Sequence, residues 1–186
     1  ISSFYETQPV GPKQRNFYNI VVRAKTDLRP CNLLLLVKQA EYILGRRKTL
    51  RWHSRVIDID ILFFGHEIIE ESVDSFKDLS LSTACKNFNL SSMVDGVGSR
   101  KKFFFRSCST LLSNKSKSFI KENRCGGDIV NLIIPHREIQ NRLFVLVPLC
   151  EVKNDFIHPV LKQKIRSVLR EKLLTLKHQK IRIINI

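Results

Sequence analysis

The chain has little that would staple it, anchor it or break it up. It carries one Trp, one Met, seven Gly and six Pro in 186 residues, which excludes collagen-like and proline-rich chains. Its five cysteines, at 31, 85, 108, 125 and 150, form no C-x-x-C pair and are odd in number. Neither a zinc site nor a disulfide framework is indicated, and a cytoplasmic, reducing compartment fits best. Apolar runs are short: Leu33–Val37 and Ile61–Phe64 fall far below the roughly 18–20 residues of a membrane span. No membrane association is expected. A glycine-rich phosphate loop of the common NTPase design is also absent. The opening Ile-Ser-Ser-Phe-Tyr-Glu-Thr has neither an initiating Met nor the order of a signal peptide, so a piece of a longer reading frame is expected.

Negative charge is scarce. Against 32 Lys and Arg stand 17 Asp and Glu, a net charge of +15, which attracts ATP, nucleic acid or an acidic surface without choosing among them. Apolar residues make up 43%, enough for a core, and the length suits one domain or one domain with a long insertion.

Order along the chain is uneven. Residues 17–26 alternate, with Ile20, Val22 and Ala24 on one face and Asn19, Val21, Arg23 and Lys25 on the other, which predicts a strand. Pro30 opens and Gly45 closes an amphipathic pattern over 31–44 with apolar positions 33, 36, 37, 40, 43 and 44, which predicts a helix. After a basic turn, VIDIDILFFG reads as a second strand, and 160–177 shows helical spacing. Between 77 and 125 there are ten Ser, ten Lys and Arg and three acids. Apart from the apolar patch Phe103–Phe105 this stretch has no sustained period. It reads as a basic, Ser-rich, poorly ordered insertion in a domain made of 1–76 and 126–177, and its deletion is expected to leave stability unchanged or slightly higher.

The chemistry centres on Asp58 and Asp60. Residues two apart on a strand share a face, so D-I-D sets two carboxylates side by side while Ile57, Ile59 and Ile61 point the other way. Such a pair repels unless a cation intervenes, and hard oxygen ligands suit Mg²⁺ completed by water and phosphate oxygens. A solvent-facing edge whose charges pair with Lys or Arg is the alternative. Just upstream lie Arg46, Arg47, Lys48, Arg51 and Arg55, with the only Trp, Trp52. Guanidinium groups grip phosphate and an indole stacks on a heterocycle, so a polyphosphate clamp is expected; a solvated basic loop that contacts RNA is the rival.

These residues carry a family resemblance. S-S-F-Y-E-T-Q-P-V-G, F-Y-N, E-Y-I-L-G-R, R-W-H-S-R-V-I-D-I-D-I-L-F-F-G and I-I-P-H-R-E-I-Q-N-R-L-F-V-L-V-P-L-C-E-V follow in order the pattern of 6-hydroxymethyl-7,8-dihydropterin pyrophosphokinases. The resemblance implies an α+β, ferredoxin-like fold: an antiparallel sheet with helices packed on its faces. It also implies transfer of pyrophosphate from ATP to the pterin hydroxymethyl, giving AMP and the pterin diphosphate in folate biosynthesis. Asp58 and Asp60 resemble the pair that holds two Mg²⁺ ions. Arg46 and Arg55 resemble arginines that close over the β- and γ-phosphates, helped by Lys48 and Arg51. Glu41, His136 and Arg142 match the nucleotide side, and Thr7, Val10, Phe17, Asn19, Trp52 and Phe144 match the pterin pocket.

The chain departs from that pattern in three places. The family's opening central strand, G-S-N loop and first helix are missing, a long insertion separates Gly65 from Pro135, and His53 stands where Gly or Ala is preferred. QKIRIINI at 179–186 resembles the opening strand of dihydropteroate synthase, so 178–186 is read as the start of a fused domain. Two rival functions belong to other classes. One is an inactive fragment that keeps the motifs without the fold; the other is a basic RNA-binding module that uses 77–125.

Overall fold

The computed structural model describes residues 1–9, 14–47, 55–74, 101–109 and 129–184. Val10, Lys48, Arg51, Trp52 and His53 lie outside them. The fold is α+β, with two antiparallel sheets and three α-helices among the described residues.

The larger sheet has the order β3-β5-β2-β1-β7. Its strands are β1 (Phe4–Thr7), β2 (Phe17–Thr26), β3 (Ile57–Phe64), β5 (Lys101–Ser109) and β7 (Ile181–Ile184), and every pairing is antiparallel. A two-stranded sheet pairs β4 (Ile69–Asp74) with β6 (Ile129–Ile134). Helix α1 (Pro30–Ile43) covers one face of the large sheet, while α2 (Leu143–Lys153) and α3 (Ile165–Thr175) cover the other.

The two faces carry two cores. Leu33, Leu34, Leu35 and Val37 of α1 pack with Ile61 and Phe64 of β3 and with Leu132 and Ile134 of β6. Val21, Leu62, Phe63 and Phe104 pack with Val145, Leu146 and Leu149 of α2 and with Ile165 and Val168 of α3. A register shift between Ile61 and Phe63 changes the parity of β3, as bulges do. Leu62 and Phe63 thereby join the same core, beyond Asp58 and Asp60.

Helix α1 begins with Pro30 at its first turn and is followed by Gly45 at φ 95°, a left-handed conformation that glycine adopts without steric cost. Its buried face differs from the expected one. Leu34, Leu35 and Glu41 are buried, whereas Ile43 and Leu44 are exposed, because the apolar run is wider than the stripe that meets the sheet. In β2 the deepest residues are Asn19 and Val21, on the face that also carries Arg23 and Lys25, because α2 covers it.

Two expectations are corrected here. Residues 101–109, read as part of a poorly ordered insertion, form β5, an interior strand of the large sheet between β2 and β3. The remainder of 77–125 lies outside the described residues. Three consecutive Phe show no alternation of apolar and polar residues, so K-K-F-F-F-R gave no strand period. Residues 178–186, read as the start of a fused domain, include β7, which pairs with β1 in register from Phe4–Ile184 to Thr7–Ile181. Ile181–Ile184 thus belong to this sheet.

The deletion expectation is reversed with them. Removing 101–109 would leave facing edges of β2 and β3 without partners, so cooperative urea unfolding is expected to be lost. Phe104 is 2% exposed and meets the Phe63 and Phe156 rings at 6.1 and 5.2 Å. Phe104→Ala is therefore expected to cost about 3–5 kcal/mol, read from the unfolding midpoint.

His158 supplies a pH dependence away from the sheet's polar end. It is 4% exposed, its Nδ1 accepts the N–H groups of Val160 and Leu161 at 3.2 Å each, and its ring meets Phe63 edge-on at 5.2 Å. Burial holds its pKa below the ordinary 6.5, so the neutral form is favoured in the fold. The unfolded chain then takes up a proton first as the pH drops. Its contribution to stability is full above about 6.5 and declines as the pH falls from there toward the folded-state value. Denaturation at about pH 7.5 and about pH 5.5 is expected to show this decline, and His158→Gln is expected to flatten it.

Candidate active site

Strand pairing assembles the polar cluster. Arg106 of β5 lies opposite Asp60 on β3 and opposite Val21 on β2, and Cys108 lies between Asp58 and Asn19 in the same way. Cross-strand partners share a face, so Asn19, Arg106, Asp58 and Asp60 are delivered to one side of the sheet. Arg106 is 4% exposed. Its Nη2 donates to Asp60 Oδ2 at 2.8 Å and to Asp58 Oδ2 at 3.4 Å, and its Nη1 donates to Asn19 Oδ1 at 2.9 Å. Asn19 Nδ2 in turn donates to Thr7 Oγ1 at 2.9 Å.

Asp58 collects two more guanidinium groups. Arg46 Nη1 donates to its Oδ1 at 2.6 Å, and Arg55 Nη1 reaches both oxygens at 3.4 Å. Behind Asp58, Glu41 of α1 is 1% exposed. It accepts from Arg46, from Lys38 Nζ at 3.1 Å and from the Ile59 amide at 2.5 Å. Glu41 thus ties the end of α1 to the backbone of β3 and holds Arg46 against Asp58.

Burial alone would raise the Asp60 carboxyl, but Arg106, with His136 and Lys38, outweighs it and holds the pKa down at about 2 from 3.8. The carboxylate form is thereby kept at neutral pH. His136 follows Pro135 and is fastened to β3 by its N–H to Leu62 O at 3.1 Å. Burial pushes its pKa below 6.5, with Asp60 acting in the opposite sense and Arg142 and Arg106 adding to the decrease, so it is biased toward neutral imidazole. Arg142 sits at the start of α2, its pKa lowered by burial and by Arg106. The guanidinium carbons of Arg106 and Arg142 lie 5.3 and 5.8 Å from the centroid of the Phe144 ring, within cation–π range.

A cavity of about 80 Å³ opens between the end of β1, the start of α2 and the approach to β7, lined by Thr7, Pro9, Phe144, Gln179 and Ile181 among others. Phe17 is half-buried at the start of β2, paired with Thr7.

Of the residues singled out from the sequence, Asp58, Asp60, Arg46, Arg55, Glu41 and Asn19 are joined by hydrogen bonds directly or through Arg106 and Ile59. His136 and Arg142 border that group electrostatically, and Thr7 and Phe144 line its far side. Lys48, Arg51, Trp52 and Val10 lie outside the described residues. The sequence reading missed Arg106, the group that joins the cluster, because it fell in the stretch taken as a loop. An aromatic run flanked by basic residues was its only local signal.

The carboxylates suit a hard divalent cation. They stand on one face of a rigid strand with side-chain exposures of 22% and 19%, open enough for water and phosphate oxygens to join. Among the described residues no group of three or more His, Cys, Asp or Glu is placed to hold a metal. A two-carboxylate site of this kind fits Mg²⁺ better than zinc.

Glu41→Ala removes the partner of Arg46, Lys38 and the Ile59 amide together. Breaking a buried ion pair from one side is expected to cost about 3–5 kcal/mol, read from the urea midpoint.

The family model described as 7,8-dihydro-6-hydroxymethylpterin-pyrophosphokinase (HPPK) matches residues 1–154. The bifunctional protein FolKE of Lactococcus lactis subsp. cremoris is 30% identical over 158 residues, which cover 84% of this chain and 29% of that protein. A 2-amino-4-hydroxy-6-hydroxymethyldihydropteridine pyrophosphokinase of Bacillus subtilis is 49% identical over 71 residues, covering 38% of this chain and 42% of its own length. The Haemophilus influenzae protein of the same name is 27% identical over 159 residues, covering 85% and 63%. The chain thus spans from 29% to 63% of the length of these relatives.

Proposed function

From the premise that the chain belongs to the 7,8-dihydro-6-hydroxymethylpterin-pyrophosphokinase family, we propose that it transfers pyrophosphate from ATP to 6-hydroxymethyl-7,8-dihydropterin. The products are AMP and the pterin diphosphate, and the setting is cytoplasmic folate biosynthesis. The observation that carries this reading is the pair Asp58 and Asp60, side by side on β3, with guanidinium groups on one side and Thr7, Asn19 and Phe144 on the other.

Asp58 and Asp60 would hold Mg²⁺, two ions in the family pattern. Bound there, the cations neutralise phosphate charge and orient the transferring group. The chain's own residues do the rest. Arg46 and Arg55, with Lys48 and Arg51, grip the polyphosphate, and His136 and Arg142 flank it. Asn19 and Thr7 read the polar edge of the pterin while Phe144, Phe17, Trp52 and Val10 supply its apolar walls. No side chain in the cluster is arranged as a general base toward a hydroxymethyl group. Positioning and electrostatic stabilisation supply most of the rate, as in phosphoryl transfer generally.

The ferredoxin-like architecture belongs to the same proposal. In it β5 takes the place of the family's opening strand, antiparallel to both neighbours. The rival reading was an inactive fragment that keeps the motifs without the fold; the pairing of both β2 and β3 with β5 favours a folded domain over it. Nucleic acid is bound only non-specifically, through net charge. Among the described residues no helix is long and apolar enough to cross a membrane. The Lactococcus relative supports a fused arrangement; a dihydropteroate synthase so attached would follow β7.

An AMP-formation assay with ATP, Mg²⁺ and hydroxymethyl-dihydropterin tests the reading. Asp58→Ala and Asp60→Ala are expected to abolish turnover while the fold persists. Arg55→Ala is expected to lower kcat by about 10²–10³ with a small change in ATP affinity, the signature of a donor that acts on the transition state. Full activity in both aspartate variants contradicts the assignment.

A further inference from the structure

Arg106 occupies the place where the two halves of the proposed site meet. Its guanidinium bridges Asp60 and Asn19 at 2.8 and 2.9 Å, reaches Asp58 at 3.4 Å and lies over the Phe144 ring at 5.3 Å. On the carboxylate side it is a cation between two acids, the position a divalent ion would take. On the other side it is a flat group that presents N–H donors to a buried amide oxygen and its face to an aromatic ring. That is also the chemistry by which the amino-pyrimidinone edge of a pterin would be held. One side chain therefore satisfies both subsites from within.

We propose that Arg106 is an internal competitor of the divalent cation at Asp58 and Asp60, held in that position by its contacts to Asn19 and Phe144. This rests on the reading of the site as a pterin pyrophosphokinase centre and adds a coupling to it. A cation can bind the carboxylates only as the guanidinium withdraws. A pterin that takes the Asn19 oxygen and the Phe144 face removes what anchors Arg106 there, so filling the pterin side favours metal binding. By linkage the metal must favour the pterin by the same factor. Arg106 cannot leave without cost, because a buried charge that loses its partners is heavily penalised. Phosphate oxygens arriving beside the metal provide the partner that lets it move, so the site is closed until its substrates are present together.

The strand geometry makes this specific to β5. Arg106 stands directly opposite Asp60 in the β3 register, so its stem is fixed by the ladder and only the guanidinium end can shift. Arg46 and Arg55 reach Asp58 from outside the sheet at 2.6 and 3.4 Å, with side-chain exposures of 22% and 40% against 5% for Arg106. Arg55 is the most open of the three and Arg46 is held from outside the sheet by Glu41, whereas Arg106 is enclosed.

The test measures Mn²⁺ binding to the full chain from the electron paramagnetic resonance signal of free Mn²⁺, with and without 6-hydroxymethylpterin. In the unaltered protein, pterin is expected to tighten Mn²⁺ binding about tenfold, in the range of ordinary site-to-site coupling. Arg106→Ala is expected to bind Mn²⁺ about tenfold tighter without pterin and to gain little more when it is added. Should that variant fail to fold, Arg106→Lys keeps the buried charge. Its single ammonium cannot bridge Asn19 and Asp60 together, so it is expected to lose the coupling. Coupling that persists in a folded Arg106 variant overturns the proposal, as does unchanged or weaker Mn²⁺ affinity in folded Arg106→Ala. Binding that is equal in both proteins and is lost in Asp60→Asn leaves the metal reading standing and defeats only the competitor. No Mn²⁺ binding in any variant defeats the metal reading itself, and the proposal with it.

Discussion

A strand in the middle of a sheet has to satisfy backbone groups on both of its edges, and in this protein β5 meets that requirement for β2 and β3 at once. The rest of the structure depends on this pairing. The core under α2 and α3 takes Phe104 from β5, Val21 from β2, and Leu62 and Phe63 from β3. The polar cluster draws Arg106, Asn19, Asp58 and Asp60 from the same three strands. One register therefore fixes the packing of the domain and the chemistry at its end.

The cluster is costly to build. Asp58 has three guanidinium groups within 3.4 Å or less, and Glu41 and Arg106 are almost fully buried. Desolvating that many charges offsets much of their mutual attraction, so the cluster is poor evidence for stability as such. In the proposed reaction its value lies in preorganisation. Charges already held in place by α1, β3 and β5 need not be reoriented when phosphate charge enters the site.

Much of this was legible in the sequence where one side of an element is polar. The D-I-D alternation placed Asp58 and Asp60 together because strand period is a local property, and Pro30 and Gly45 marked the ends of α1 for the same reason. The face of β2 that is most buried was not legible, because whether α2 lies above Asn19 and Val21 is decided by residues more than a hundred positions away. The segment Leu143–Leu149 shows no helical period because nearly every side of it is covered, with Leu143, Val145, Leu146, Pro148 and Leu149 all buried. The gravest misreading, β5, has a local cause: three consecutive Phe between basic and Ser-rich stretches show no alternation and look like a loop with an apolar patch. Glu41 shows the reverse case, where the right residue was picked out and the structure adds a second task. It ties α1 to the Ile59 amide.

The central claim is that Lys101–Ser109 is an interior strand of the large sheet, paired on both edges. Amide hydrogen exchange on the full chain tests it most directly, because the slowest amides report the global opening of the core. The account predicts that the β5 amides from 102 to 108 exchange as slowly as those of β2 and β3, and that all three strands share one dependence on denaturant. Exchange of β5 at the rate of an open loop, with β2 and β3 still protected, would contradict it.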